Sequence, residues 1–357
     1  MEFLDFTGNP LGLNLAIFAA LIALIWFVGT RLSLFADVIS DRTNLGKAFM
    51  GLLFLSLATQ MSDVGTTVSA ALANRPQLAI NAIFGSVMFQ MVLLAIVDFA
   101  LIKGALTFFT PKPILMLQGV LLIVLLASAV ASIALGEVVV FANVGLWTLM
   151  LFIGYIITLF LSQHYEGNEK WQAENHPSTE EMEAVVLSPQ DPEDQKHLHQ
   201  WSTRRLALTF AGFAGVILVA GFTISRIADA LAEQTGLGTS FVGATLLAAS
   251  TSLPELSVAI TAVRLKKYEM AFANIFGSNG IIMVLLFIGD IFYREGPLLN
   301  EADNSIIYMA AATIVMTAVY LTGMIERKDR TILRFGIDSA LVFAIYIASL
   351  GVLYVMR

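Results

Sequence analysis

Apolar runs of about 20 residues, long enough to cross ~30 Å of hydrocarbon, follow one another along almost the whole chain. Short clusters of turn residues and charges cut them into ten predicted helices, approximately 11–34, 46–73, 77–101, 113–134, 138–162, 205–230, 238–264, 268–293, 305–325 and 334–356. The only extended polar stretch, His164 to Thr203, lies between the fifth and sixth and holds nine of the 27 acidic residues and all four histidines. It divides the chain into a first five-helix set at 1–163, a polar loop at 164–204 and a second five-helix set at 205–357.

Sliding the sequence against itself exposes a repeat at an offset of 192. Residues 29–98 match 221–290 without a gap, with 23 of 70 positions identical. The identities include Ala36-Asp37 with Ala228-Asp229, Gly51 with Gly243, Thr59 with Thr251, and Ile83-Phe84-Gly85-Ser86 with Ile275-Phe276-Gly277-Ser278. Two unrelated apolar helices share Leu, Ala and Val by composition, but not Asp, Gly, Thr and Ser at one constant offset. Because each half holds an odd number of helices, the second must sit upside down relative to the first. The fold class expected is therefore an all-α membrane protein, ten transmembrane helices in two inverted five-helix repeats. That arrangement places a transported solute near the midplane.

Composition agrees: 57% of the 357 residues are hydrophobic and 13% charged, against roughly 25% charged in soluble domains. The absence of cysteine excludes disulfides, thiolate metal sites and a Cys nucleophile. The start MEFLDFTGNP is acidic, so the first apolar run reads as a retained helix and not a signal peptide. Lys and Arg favour the cytoplasmic flanks of membrane helices. With the N-terminus outside, 16 of the 20 basic residues fall on cytoplasmic segments, leaving Arg75, Arg226, Arg294 and Arg357 outside. The expectation is an inner-membrane protein with both termini outside and the 164–204 loop in the cytoplasm. The net charge of −7 comes largely from that loop, and no nucleic-acid partner is expected.

Candidate chemistry sits inside the second and seventh helices, in Ala58-Thr59-Gln60-Met61-Ser62-Asp63 and Ser250-Thr251-Ser252-Leu253-Pro254-Glu255. The offset places Asp63 opposite Glu255. A carboxylate near the bilayer centre costs at least ~2.5 kcal/mol on insertion scales, so such residues generally face a cavity or an ion pathway. Pro254 removes a backbone hydrogen bond and loosens the seventh helix beside Glu255, freeing carbonyl oxygens. Hard cations use such oxygens, and Thr59, Thr251 and Ser252 can add hydroxyls. The third and eighth helices bring Gly85-Ser86 and Gly277-Ser278-Asn279, where glycine permits close approach and the polar residues can point at the acids. Gly-Ser pairs also serve as plain packing interfaces.

The segment GLGTSFVGATLLAASTSLPELSVAITAVRLKKYEMAFANIFGSN, Gly236 to Asn279, resembles the second α-repeat of the Ca²⁺/cation antiporter superfamily, which contains the Na⁺/Ca²⁺ exchangers. The resemblance covers nearly the whole chain. It implies that Glu255, Thr251, Ser252, Ser278 and the carbonyl of Ala248 face the ions. The first half departs from the pattern: Thr59-Gln60-Met61-Ser62-Asp63 lacks the proline, shortens the acid and puts Gln60 in the serine position. Four positions after Ser86 and Ser278, where family members place an Asn and an Asp or similar residues, stand Gln90 and Ile282.

Asp98 and Asp290 also pair across the repeat, ~18 Å beyond Ser86 and Ser278 along each helix. They are expected near opposite membrane faces, either drawing cations into vestibules or meeting water or a base; Asp37 and Asp229 invite the same readings. His164, His176, His197 and His199 could form a metal or pH sensor, against which stands a flexible, solvated linker. The expected function is secondary antiport of Ca²⁺ against Na⁺ or H⁺ at the Asp63/Glu255 site, with no cofactor. Counting two carboxylates gives electroneutral exchange of one divalent for two monovalent ions. A symporter or Na⁺/H⁺ exchanger is the nearest alternative, and a channel or membrane enzyme a different class. No intramembrane His or Cys supports an enzyme. The partners expected are inorganic cations and the lipid bilayer; the sequence leaves the oligomeric state open.

Overall fold

The computed structural model describes residues 5–43, 50–110, 112–141, 143–165, 186, 197–332 and 335–356. Its long elements are α1 (Leu11–Thr43), α2 (Met61–Leu72), α3 (Pro76–Leu101), α4 (Pro113–Leu135) and α5 (Leu146–Tyr165), then α6 (Thr203–Thr235), α7 (Leu253–Arg264), α8 (Tyr268–Phe292), α9 (Asn304–Glu326) and α10 (Ile337–Met356). Among the described residues, nine helical stretches are long and apolar enough to cross a membrane. The chain is an all-helical multi-pass membrane protein with two small hairpins.

Several elements differ from the sequence expectation. The fifth and tenth helices begin later, at Leu146 and Ile337, because the chain before each turns back as a two-stranded hairpin. β1 (Val139–Phe141) pairs with β2 (Val144–Gly145), turning through Asn143 in the left-handed region, a conformation Asn tolerates well. β3 (Thr331–Ile332) pairs with β4 (Phe335–Gly336). α1 and α6 are longer than the apolar pattern marked, 33 residues each or ~50 Å, more than a perpendicular span requires.

Burial sorts the helices. α3 and α8 are buried over most of their length. α1, α5, α6 and α10 present Phe27, Phe160, Val219 and Val355 outward, where hydrocarbon is the solvent and an exposed apolar side chain carries no penalty. α1 and α6 pack on each other, and each crosses the opposite half: α1 lies against α7 and α6 against α2.

The halves interlock with repeat-related contacts. A Cβ on Gly277 would stand 2.4 Å from the Leu52 carbonyl oxygen, and one on Gly85 would stand 2.6 Å from that of Ala244. Leu52 and Ala244 are themselves 192 apart, so each half presses one glycine of its central helix onto the backbone of the other. Only glycine permits that approach.

Asp98 and Asp290 are fully buried and meet neither water nor a base. Asp98 Oδ1 accepts from the Leu106 N–H at 2.9 Å and Oδ2 from the Gly336 N–H at 3.1 Å. Asp290 Oδ1 accepts from the Leu298 N–H at 2.7 Å, while Oδ2 accepts from the Gly145 N–H at 2.9 Å and the Thr148 hydroxyl at 2.6 Å. The vestibule reading is therefore replaced: each carboxylate pins the hairpin of the other half. Asp229 does meet a base, Arg75 Nε at 3.2 Å, which also holds Glu233 at 2.6 Å. Beside the first hairpin, burial pushes the Glu137 carboxyl above the usual range, opposed by N–H donors from Trp147, Val138 and Thr148.

Removing Asp290 strands the Gly145 and Leu298 N–H groups in the interior, while the Thr148 hydroxyl keeps the Gly145 carbonyl as an acceptor, and each unsatisfied buried group costs about 1–3 kcal/mol. Asp290→Ala is expected to lower stability by about 3–5 kcal/mol, and Asp290→Asn, which keeps one acceptor oxygen, by less. Thermal unfolding of the purified protein in detergent measures both. An alanine variant that melts with the wild type would show the hairpin to be held by other contacts.

Most of the 164–204 loop, including His176, lies outside the described residues. Its end is packed: Leu198 is buried against Leu34, Phe35 and Leu206, and the Arg42 guanidinium donates to the His199 and Trp201 carbonyls, both at 2.6 Å. Val186 pairs with Ile102 at the end of α3. Among the described residues no group of three His, Cys, Asp or Glu side chains is placed to hold a metal.

Candidate functional site

Both acidic segments reach the centre through an interrupted helix, and the interruptions fall in register with the repeat. In the first half a π-helical stretch, Met50–Leu55, leads into one α-turn, Ser56–Thr59, and the chain breaks at Gln60 before α2. In the second, π-helical Gly243–Leu247 leads into Ala248–Thr251 and breaks at Ser252 before α7. Gln60 and Ser252 are 192 apart. π-helical turns are rare and concentrate at functional sites. Pro254 is the second residue of α7, where its missing N–H is tolerated. The first half breaks at the same position without a proline.

Each break sets an acid in the first turn of the following helix, Asp63 on α2 and Glu255 on α7. Both carboxyls are buried. Asp63 Oδ1 accepts from the Ser86 hydroxyl on α3 at 2.9 Å and from the Thr251 hydroxyl at 2.9 Å, with Ser86 and Thr251 3.2 Å apart. Glu255 Oε1 accepts from Gln60 Nε2 at 2.8 Å, and Thr59 lies beside the same carboxyl. Each acid thus accepts a bond from the opposite half, Asp63 from Thr251 and Glu255 from Gln60, while Ser86 belongs to the same half as Asp63.

The other oxygen of each acid, Asp63 Oδ2 and Glu255 Oε2, is buried with no hydrogen-bond partner. Gln60 Oε1, Ser278 Oγ, both amide atoms of Asn279 and both of Gln90 share that condition. Buried polar atoms are almost always paired, so unpartnered oxygens on two buried carboxyls single this place out as the candidate site. Of the other residues singled out from the sequence, Ser252 turns its hydroxyl back to the Ala248 carbonyl at 2.8 Å. Thr59 donates to Ser56 O at 3.1 Å. Ile282 is buried on α8, four residues beyond Ser278.

Two neighbours escaped the sequence reading. Ser62 donates to the Thr251 carbonyl at 2.8 Å and ties the two breaks together. Nothing in its local pattern distinguishes it from any helical serine. Asn274 is fully buried with both amide atoms unpartnered. Its signal was available: it stands four residues before Ser278, on the same face of α8.

Comparison with known proteins gives three kinds of likeness. The family model described as sodium/calcium exchanger protein matches residues 13–161 and 205–355. CaxA of Alkalimonas amylolytica is 26% identical over 329 residues, covering 88% of this chain and 92% of its own. The inner membrane protein YrbG of Escherichia coli is 25% identical over 294 residues, covering 81% and 83%. Among solved structures, the sodium-calcium exchanger NCX_Mj, soaked with Na⁺ and Sr²⁺, superposes with a TM-score of 0.64 at 17% identity, covering 95% of this chain and 98% of that one.

Proposed function

The chain belongs to the sodium/calcium exchanger family of membrane antiporters, and on that premise we propose that it exchanges Ca²⁺ for Na⁺ or H⁺ by alternating access at Asp63 and Glu255. One observation carries the assignment of the site: two carboxylates at repeat-related helix breaks, each with one buried oxygen lacking any donor. A cation placed between those oxygens relieves both. The ligand set we propose is Asp63, Glu255, Thr59, Thr251, Ser252, Ser86, Ser278, Gln60, Gln90 and Asn279 with the Ala248 carbonyl.

The ten spans are read as two inverted sets, 1–163 and 205–357, with both termini outside and the 164–204 loop in the cytoplasm of a cell with an inner membrane. The sixteen-to-four distribution of basic residues supports that orientation. Helices α1 and α6, each lying across the acidic segment of the opposite half, are the elements whose sliding would open the site to one face and then the other.

With the protein in proteoliposomes, outward Na⁺ or H⁺ gradients are expected to drive ⁴⁵Ca uptake, and uptake that ignores every imposed gradient would sink the antiport reading. Two carboxylates balance one divalent or two monovalent ions, and an uncompensated charge in this setting is costly. Clamping the membrane potential with valinomycin and K⁺ should therefore leave rate and end-point unchanged. An end-point that follows the clamp would mean net charge movement and overturn the two-for-one count.

A further inference from the structure

The two breaks are equivalent by sequence offset and by backbone, yet their turn residues behave differently. Ser252 is short and bonds within its own helix, to the Ala248 carbonyl. Gln60 is two bonds longer and fully buried, and its amide crosses to the other half to donate to Glu255 Oε1 at 2.8 Å. The reverse amide orientation would set oxygen against oxygen, so the N–H is the group that faces the carboxylate. The consequence is an asymmetric pair of acids. Asp63 Oδ1 is held by two hydroxyls, Ser86 and Thr251, whose lone pairs remain usable by a cation. Glu255 Oε1 is held by a nitrogen, which has none.

We propose that Gln60 is a specificity-determining residue: by keeping an N–H on Glu255 Oε1 it tilts the site toward one divalent cation and away from a pair of monovalent ones. A single divalent ion bridging Asp63 Oδ2 and Glu255 Oε2, the two oxygens without donors, leaves the Gln60 bond intact and feels both negative charges at once. Two monovalent ions must divide the carboxylate oxygens between them. The one nearer Glu255 then sits against the positive end of the Gln60 N–H dipole, or forces the amide out of a buried, charge-assisted hydrogen bond. Gln60 Oε1 remains free of partners and can add an oxygen to the bridging ion without releasing the N–H.

The inference rests on the reading of Asp63 and Glu255 as the cargo site, and the test separates the two. Full-length protein in proteoliposomes is assayed for ⁴⁵Ca/Ca²⁺ self-exchange, which needs no counter-ion gradient, while equal Na⁺ on both sides is raised as a competitor. Three proteins are compared: wild type, Gln60→Ser, which installs the residue of the other repeat, and Gln60→Met, which keeps the length without the N–H. A hydrogen bond to a charged group is involved, so both variants are expected to show Na⁺ inhibition at about tenfold lower concentration, while half-saturation by Ca²⁺ moves the opposite way, to higher concentration, because the Gln60 oxygen is lost to the divalent ion. Ca²⁺ and Na⁺ constants that shift together, or no shift in either variant, overturn the inference while leaving the cargo site standing. Failure of both variants to insert assigns Gln60 to the fold and overturns it equally. A wild type with no saturable self-exchange overturns the reading of the site, and the inference falls with it.

Discussion

Asp63→Asn and Glu255→Gln are each expected to abolish ion exchange, by about 100-fold or more, in a protein that remains folded and inserted. The hydrogen bonds explain why the fold survives. An asparagine at 63 still offers an oxygen to the Ser86 and Thr251 hydroxyls, and a glutamine at 255 still accepts from Gln60. What changes is the second atom of each carboxyl, the one with no donor. It becomes an NH₂, so the position proposed for the cation acquires positive hydrogens and loses a full negative charge. Relief of a buried charge should leave the melting temperature equal to the wild type or above it, since an unpaired carboxylate costs several kcal/mol when desolvated. Gradient-driven ⁴⁵Ca uptake and thermal unfolding together decide the matter: near-normal transport by either variant would refute a shared central site.

Gly277→Leu is expected to prevent assembly of the two halves, at a cost above about 3 kcal/mol. The added Cβ alone would stand 2.4 Å from the Leu52 carbonyl oxygen and 2.5 Å from Ser56 Oγ, and the clash is with backbone that cannot rotate away. Gly85→Leu meets the Ala244 backbone in the same manner. Because Ser86 follows Gly85 directly, a displacement there also carries its hydroxyl away from Asp63. Size-exclusion profile and melting temperature in detergent report the effect. A monodisperse Gly277→Leu protein melting with the wild type would mean that the interface yields more readily than its backbone contacts imply.

The helices were legible because hydrocarbon imposes one rule, an apolar stretch of sufficient length, which the chain obeys almost everywhere. The central acids were legible because Asp63 and Glu255 break that rule at positions related by one offset. The hairpins at Val139–Gly145 and Thr331–Gly336 were not. Their residues, Val-Val-Val-Phe in the first, are as apolar as the helices they precede, so periodicity could not separate strand from span. The role of Asp98 and Asp290 was hidden for a different reason. The partners that tie them to the other half include backbone N–H groups 145 and 238 residues away, and a backbone donor has no signature in sequence. Gln60 was visible as a departure, but that its nitrogen would face Glu255 depended on which helices meet.

Those long-range backbone bonds bear on how the protein is made. The first half enters the membrane with its hairpin complete in sequence but without the carboxylate that pins Gly145, which arrives only when Asp290 has been synthesised. Asp98 in turn accepts from Leu106 in its own half and waits for Gly336 of the other. Neither half can complete these bonds ahead of the other. The last bonds of the fold thus need both halves, and a chain truncated before Gly336 is expected to leave Asp98 Oδ2 without its backbone donor.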